Sequence, residues 1–129
     1  QRQDEFCNDL IRYLEHDELP ASSRRQRKCI LREHDYSVID GILYHIWMPI
    51  PSSQDRVFLR LVIPKDLQYQ VIKAVHSTAL GAHVGIQKVI SLIKPRFSWP
   101  GMYNMVREFI NNCDACQLAK KHTQNTENT

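Results

Sequence analysis

The sequence predicts an α+β N-terminal extension followed by a small all-α unit of three helices. Residues 1–63 combine one helical pattern with three short β-rich runs, two of which flank a tight-turn dipeptide. Residues 64–121 show helical periodicity only. The polar residues 122–129 carry no apolar pattern and are expected to form a disordered tail.

The N-terminal extension is predicted to hold a helix, a β-hairpin and a further strand. Apolar residues recur at helical spacing from Asp4 to Glu15, which indicates an amphipathic helix. The polar stretch 20–28 indicates a linker or an exposed helix start. The dipeptide Asp40-Gly41 separates two apolar runs and favours the positive φ angles of a two-residue hairpin turn. Residues 57–63 predict the further strand.

Three apolar stripes predict the helices of residues 64–121. The first stripe repeats every fourth position from Leu67 until Gly81 breaks the pattern, and the second extends over residues 86–93. Pro100 suits the first turn of the third helix, where its missing N–H has no cost. This third helix is expected to end near Asn111-Asn112.

The composition is that of an ordinary globular protein. Hydrophobic residues make up 43% and charged residues 24%, which excludes the disordered class. No apolar run approaches the ~20 residues of a membrane helix, and no secretion signal is visible, so an intracellular protein without a membrane partner is expected. Residues 1–63 carry nine Lys/Arg and ten Asp/Glu, whereas residues 64–129 carry eight and four. The basic second half permits a polyanionic partner.

Four residues have the types and spacing of a zinc site, in the pattern His76-x6-His83-x29-Cys113-x2-Cys116. Two imidazoles and two thiolates form a standard closed tetrahedral set for zinc. Because four protein ligands leave no open position, the sequence predicts one structural Zn²⁺ ion without a catalytic role. Thioredoxin-like redox pairs also have the Cys-x-x-Cys spacing, but they follow a strand and open a helix, whereas this pair follows a helix.

The two histidines impose a geometric requirement on the chain. Seven residues along a straight helix separate two side chains by ~10 Å, so His76 and His83 share one ion only if the chain reverses between them. Gly81 suits such a reversal. The other cysteines and histidines match no ligand spacing, and buried reduced cysteine is the commoner arrangement. These residues are Cys7, Cys29, His16, His34 and His45.

The zinc pattern and its surroundings resemble the N-terminal zinc-binding domain of integrases from retroviruses and gypsy-type long-terminal-repeat retrotransposons. The resemblance extends from about Leu61 to Lys121. The segments that carry it are Arg60-Leu-Val-Ile-Pro64, Gly81-Ala-His-Val-Gly85, Phe97-Ser-Trp-Pro-Gly-Met102 and Cys113-Asp-Ala-Cys-Gln117, with Lys120 shortly after. The family often has Gly before the second histidine, whereas Ala82 stands here and leaves the ligand set intact. Residues 1–63 resemble the N-terminal extension of some of these integrases.

The resemblance implies a fragment of an integrase, or a host protein derived from one. In the family, a separate core with three catalytic carboxylates binds two metal ions and joins DNA strands, and that core would follow about Lys121. Glu127 is the only acidic residue after Cys116, so this segment is expected to be non-catalytic. The implied role is to bind double-stranded DNA at the element's ends and to help integrase subunits self-associate. The implied location is the nucleus, which the protein would enter from a cytoplasmic pre-integration particle.

The second and third helices would then act as a helix-turn-helix-like pair across DNA phosphates. Each candidate cation is equally compatible with plain solvated surface, and so few cations predict salt-sensitive phosphate contacts with little base readout. The candidates are Lys88, Lys94, Arg96, Arg107, Lys120 and Lys121, with the basic run Arg24, Arg25, Arg27 and Lys28. Phe97 and Trp99 lie between two apolar stripes, which predicts packing between helices and disfavours base stacking. The alternative function is a domesticated protein–protein interaction domain that has lost DNA binding.

Overall fold

The computed structural model describes residues 1–49, 56–78 and 85–112. Its helices are α1 (Glu5–His16), α2 (Ser23–Arg32), α3 (Lys65–Thr78), α4 (Ile86–Ile93) and α5 (Met102–Asn111). Its strands are β1 (Tyr36–Ile39), β2 (Ile42–Trp47), β3 (Phe58–Val62) and β4 (Phe97–Ser98). These elements confirm the predicted α+β class. No helix within the described ranges is long and apolar enough to cross a membrane.

The chain divides into two compact units. The first unit consists of Gln1–Gln68 and Lys94–Trp99, and the second consists of Tyr69–Ile93 and the chain from Pro100 onward. Residues 94–99 lie within the part of the chain that the sequence predicts to be helical. The structure groups them with the sheet because β4 lies in this segment and pairs with β3.

The β-hairpin at Asp40-Gly41 is confirmed. β1 and β2 are antiparallel, with Ile39 opposite Ile42 across the turn. Asp40 and Gly41 have φ angles of 53° and 78°. Two successive positive φ values are those of a type I′ turn, whose twist matches the twist of the flanking strands.

The sheet has the strand order β1-β2-β3-β4. β3 pairs antiparallel with β2, as three successive strands of a small meander require. β4 is parallel to β3 and is held by two backbone hydrogen bonds, from Leu61 N to Arg96 O at 2.8 Å and from Ile63 N to Ser98 O at 3.0 Å. No sequence pattern predicts this strand, since two residues are too few to show a periodicity.

α1 packs against one face of the sheet. Asp4 caps the helix by accepting a hydrogen bond from Cys7 N at 3.1 Å, and its second oxygen accepts one from Lys65 N at 2.8 Å. A fully buried aliphatic side chain stabilises a fold by roughly 1.5–3 kcal/mol. The core of the first unit consists of Cys7, Leu10, Ile11, Cys29, Leu43 and Val62.

α2 extends the exposed helix start that residues 20–28 indicate into a helix of ten residues. Cys29 is its one buried residue. With so little apolar surface, the helix has no stripe that a sequence pattern could detect. The N-terminal extension therefore contains a second α-helix where the sequence indicates either a linker or an exposed helix start.

The described residues contain all three predicted C-terminal helices. α5 begins at Met102, and Gly101, with a φ of 79°, is its N-cap. Pro100 therefore precedes the helix and does not lie in its first turn, which corrects the predicted start. The reversal at Gly81, the closed three-helix bundle and the tail stay predictions, because residues 79–84 and 113–129 lie outside the described ranges.

Candidate metal centre

His76 lies in the last turn of α3 and is 1% exposed. Ile72, one turn earlier on the same face of the helix, is fully buried. The His76 imidazole meets the ring of Phe109 from α5 edge to face, with ring centroids 5.5 Å apart and an interplanar angle of 84°. α3 therefore holds this predicted ligand in the interior of the second unit.

Phe109 joins α5 to two turns of α3, because its ring also contacts Tyr69 at a centroid distance of 5.2 Å. Beside these rings lies a groove of about 320 Å³, lined by Tyr69, Ile72, Met105, Glu108, Phe109 and Asn112. Asn112 caps α5 and immediately precedes Cys113 in the sequence. The helix that carries His76 thus packs against the helix that leads to the first predicted cysteine ligand.

The other three predicted ligands, His83, Cys113 and Cys116, lie outside the described residues. Within the described ranges, no three His, Cys, Asp or Glu side chains are grouped so as to hold a metal. A buried imidazole is a nitrogen donor of the kind that zinc prefers, and its shelter from water fits a closed structural ion. The four-residue ligand set stays a prediction, with His76 as its described member.

Cys7 and Cys29 are free thiols in the core of the first unit, and each is 1% exposed. Burial raises the pKa of Cys7 to about 12, and the charge of Asp4 adds to the shift. Burial also raises the pKa of Cys29. Both thiols therefore stay protonated at neutral pH, whereas zinc binds thiolates. They act here as small apolar core residues.

The histidines outside the zinc pattern have other surroundings. The side chains of His16 and His34 are 59% and 91% exposed, and each lies near a neighbouring glutamate. His45 lies on β2, where Arg60 donates to its Nδ1. Burial lowers the pKa of His45, and the charge of Arg60 lowers it further. The His45 ring is therefore a neutral hydrogen-bond acceptor at neutral pH.

Four of the candidate DNA-binding cations in the second half of the chain are described, and all four are exposed: Lys88, Lys94, Arg96 and Arg107. Across residues 1–49, 56–78 and 85–112, every ion pair is formed within the first 34 residues. None of these four cations therefore has a carboxylate partner there. Lys120 and Lys121 lie outside the described ranges.

The basic run of the N-terminal extension lies on α2. Arg24, Arg27 and Lys28 are exposed. Arg25 binds both carboxylate oxygens of Asp9, at 2.6 and 2.8 Å, and so links α2 to α1. Three of the four predicted cations are therefore available to an external anion, and the charge of Arg25 is already neutralised.

Phe97 and Trp99, the two aromatic residues of the segment 97–99, differ in burial. Trp99 is 4% exposed, which fits the packing interpretation and leaves no ring face for a nucleic-acid base. Phe97 is half-buried and lies in β4, opposite Leu61 of β3. The sequence predicts that Phe97 packs between helices. It does not predict the strand, because the pairing of β4 with β3 joins residues that are distant in the sequence.

Arg60 and Trp47 contact each other in the first unit, and neither is predicted from the sequence to be a site residue. Arg60 is 8% exposed and lies at an inward-facing position of β3, between residues that are otherwise apolar. The sequence does contain a signal that points to Arg60. A charged residue at the buried position of a short apolar strand needs a partner inside the fold.

Residues 63–122 match the family described as the integrase zinc binding domain. The polyproteins of transposons Tf2-3, Tf2-4 and Tf2-5 from Schizosaccharomyces pombe are each 30% identical to this chain over 90 residues. The similar part covers 68% of this chain, and the chain spans about 6% of the length of each polyprotein. Since only seven residues follow position 122, the similarity must also extend into the first unit.

The family match agrees with the chemistry of the pattern. It includes all four predicted ligands, and the family description names zinc. The matched family is a zinc-binding domain of integrases and not their catalytic part. The chain therefore contains, at residues 63–122, a member of the integrase zinc binding domain family.

Proposed function

We propose that this chain is the non-catalytic DNA-binding and multimerisation module of a retroelement integrase of the gypsy type. In this proposal it holds the double-stranded DNA at the ends of the element for integration in the nucleus. The similarity to transposon polyproteins supports it, as do the exposed cations that have no carboxylate partner among the described residues. Strand transfer itself would belong to another part of a longer protein.

In the proposal, the metal has a structural role. His76, His83, Cys113 and Cys116 would hold one zinc ion, which supplies a closed four-coordinate cross-link without an open position for substrate. The buried His76 ring against Phe109 is the described part of this arrangement. The chain's own residues would then present a rigid surface to DNA.

The observation that carries the DNA role is the set of exposed cations without carboxylate partners in the described ranges. Lys88 of α4 and Arg107 of α5 belong to this set in the second unit. An exposed cation that no carboxylate neutralises can release a DNA counterion when it meets a phosphate. Binding through four such contacts would have a log–log salt slope of about −3.6.

The test is a titration of fluorescently labelled duplex DNA, carrying a terminal-repeat sequence, with the zinc-loaded chain at several salt concentrations. We expect tight binding at low salt that weakens steeply as salt rises. Lys88→Gln should reduce the magnitude of the slope by about 0.9. Arg12→Gln, which removes an exposed cation that Glu18 already neutralises at 2.7 Å, is the control and should leave the slope unchanged. Absence of binding even at low salt would contradict the DNA role.

Self-association is proposed to use the sheet face opposite α1. The strand register places Ile39 opposite Ile42 and Ile46 opposite Leu59, so these side chains share one face. Three of them are strongly exposed, with Ile39 at 42%, Ile42 at 41% and Leu59 at 48%. Grouped exposed aliphatic side chains mark protein–protein contacts.

Sedimentation velocity over a range of protein concentrations tests this surface. Ile42→Lys should shift the chain towards monomer, whereas Leu67→Lys, at an aliphatic residue 46% exposed on α3, should not. A wild-type chain that stays monomeric at high concentration would count against self-association through this face.

The same exposed face favours the alternative function, a domesticated protein–protein interaction domain without DNA binding. The two functions differ in the outcome of the DNA titration. Under the alternative, the chain binds no duplex at low salt, and Lys88→Gln leaves its affinity for a partner protein unchanged. A partner protein would then be expected to lose affinity when Ile42→Lys is introduced.

A further inference from the structure

We propose that Arg60 and Lys94, together with Trp47, form a phosphate-binding site in the first unit. This inference rests on the proposed DNA-binding function and assigns a phosphate of the DNA backbone as its ligand. It adds to the candidate surface a buried arginine and an aromatic residue that lie outside the zinc-binding segment.

Arg60 is buried at 8% exposure, and all its described hydrogen bonds go to neutral groups. Its Nε and Nη2 lie 3.3 and 2.9 Å from Nδ1 of His45, and its Nη1 donates to the carbonyl oxygen of Lys94 at 3.2 Å. The guanidinium carbon also lies 5.1 Å from the centroid of the Trp47 ring. Within the described ranges Arg60 has no ion pair with a carboxylate.

A buried guanidinium without an anion is an unusual arrangement, because removing the charge from water is costly unless an opposite charge compensates for it. The His45 ring cannot compensate, since it is neutral, and the Trp47 ring attracts the cation but carries no net charge. The guanidinium has five N–H groups, and the contacts to His45 and Lys94 engage three of them. Among the described residues, Arg60 therefore has no compensating anion, and two of its N–H groups have no described acceptor.

Lys94 brings a second cation to the same ring. Its Nζ lies 5.2 Å from the Trp47 centroid, and the side chain is exposed. The Trp47 ring is thus in contact with two cations, and within the described ranges neither of them has a carboxylate partner. Arg96, also exposed, follows two residues later and is tied to β3 through its carbonyl oxygen. Positive charge is thus concentrated at one accessible place of the first unit.

Phosphate is the anion that this arrangement suits. A guanidinium offers a planar pair of donors to two phosphate oxygens, and an ammonium on a flexible stem adds a point charge to a third. A DNA backbone presents such phosphates continuously to a surface cation such as Lys94. The half-buried indole that both cations contact offers an apolar surface for a deoxyribose.

The first test compares two single-charge variants of the zinc-loaded full chain in the duplex titration described above. Lys94→Gln should lower the magnitude of the log–log salt slope by about 0.9, because one phosphate contact is lost. Arg12→Gln removes an exposed charge of the same unit that Glu18 already neutralises, and it should leave the slope unchanged. Equal slopes for the two variants would contradict the proposal.

The second test observes the site directly by NMR. Adding duplex DNA at low salt should shift the Arg60 Nε–H and Trp47 Nε1–H signals, and these shifts should be lost in Lys94→Gln. The indole signal of the buried Trp99 serves as an internal control and should not move. If the duplex binds without shifting the two signals, the site is refuted and the DNA-binding function stands.

A chain that binds no duplex would refute the proposed function and the assignment to DNA. Titration with inorganic phosphate then decides whether an anion site exists at all. Shifts of the Arg60 and Trp47 signals that Lys94→Gln abolishes would support a phosphate site, and their absence would refute it.

Discussion

His76 is the described residue through which the zinc prediction can be tested most directly. It is buried against Phe109, so its replacement removes a nitrogen donor from the interior and not from the surface. We expect His76→Asn to lower the zinc content from one ion per chain towards none, because three ligands no longer close the coordination shell. Metal analysis after dialysis against a mild chelator measures this change.

The matched control for this prediction is His34→Asn, since the His34 side chain is 91% exposed and lies outside the ligand pattern. The control should keep its full zinc content. Full zinc loading of both variants would refute His76 as a ligand. Loss of zinc from both would mean that the metal binds to surface histidines without a defined site.

Cys7 should make the first unit less stable at alkaline pH. Burial, with the charge of Asp4, raises the pKa of the folded thiol from 9.0 to about 12. Between these values the unfolded chain loses the Cys7 proton while the folded chain keeps it, so the free energy of unfolding falls as pH rises. The limiting slope is about 1.4 kcal/mol per pH unit.

Urea unfolding between pH 8 and pH 10.5, followed by tryptophan fluorescence, tests the Cys7 prediction. Trp47 and Trp99 both belong to the first unit, so their emission reports on its unfolding. Cys7→Ala removes the titrating group, and the difference between wild type and variant isolates the thiol from lysines and tyrosines. Parallel pH profiles for the two proteins would show that the Cys7 pKa is not raised.

At the scale of elements, the hairpin between β1 and β2 depends on the backbone freedom of Gly41. Its φ of 78° strains any L side chain, and an added Cβ would meet Nη2 of Arg2 at 3.4 Å. We expect Gly41→Ala to lower the free energy of unfolding by about 1–2 kcal/mol. Gly85→Ala is the control, because its φ is not positive and its Cβ would meet nothing within 4 Å. Equal effects in urea unfolding would contradict this explanation.

The elements that could be predicted from the sequence are those whose signal is local. Amphipathic spacing indicates α1, α3, α4 and α5, and Asp40-Gly41 indicates the hairpin, because each pattern reflects the geometry of neighbouring residues. α2 could be anticipated only as an exposed helix start, since five of its ten residues are Arg or Lys and one is buried. β4 depends on hydrogen bonds to β3, which lies far away along the chain.

The candidate sites divide in the same way. The zinc pattern is recognisable from spacing because four ligands of fixed types must meet one ion. The environment of Arg60 is not recognisable in this way, since its partners lie far from it along the chain: His45 and Trp47 on β2, and Lys94 just after α4. The ion pair between Arg25 and Asp9 could not be predicted from the sequence either, because it depends on the packing of α2 on α1.

At the scale of the whole molecule, the two units should respond differently to zinc removal. The buried core of the first unit, from Cys7 to Val62, contains no predicted zinc ligand. The second unit is small, and a structural ion contributes directly to the folding free energy of such a unit. We therefore expect a chelator to unfold the second unit and to leave the first unit folded.

Circular dichroism and tryptophan fluorescence separate these two responses, because Trp47 and Trp99 belong to the first unit while α4 and α5 belong to the second. Chelation should reduce the helical signal, zinc should restore it, and the urea midpoint of the fluorescence transition should change little. The His76→Asn variant should resemble the chelated wild type without any chelator. An unchanged helical signal would refute a structural zinc, whereas loss of both signals together would show that the first unit also depends on the metal.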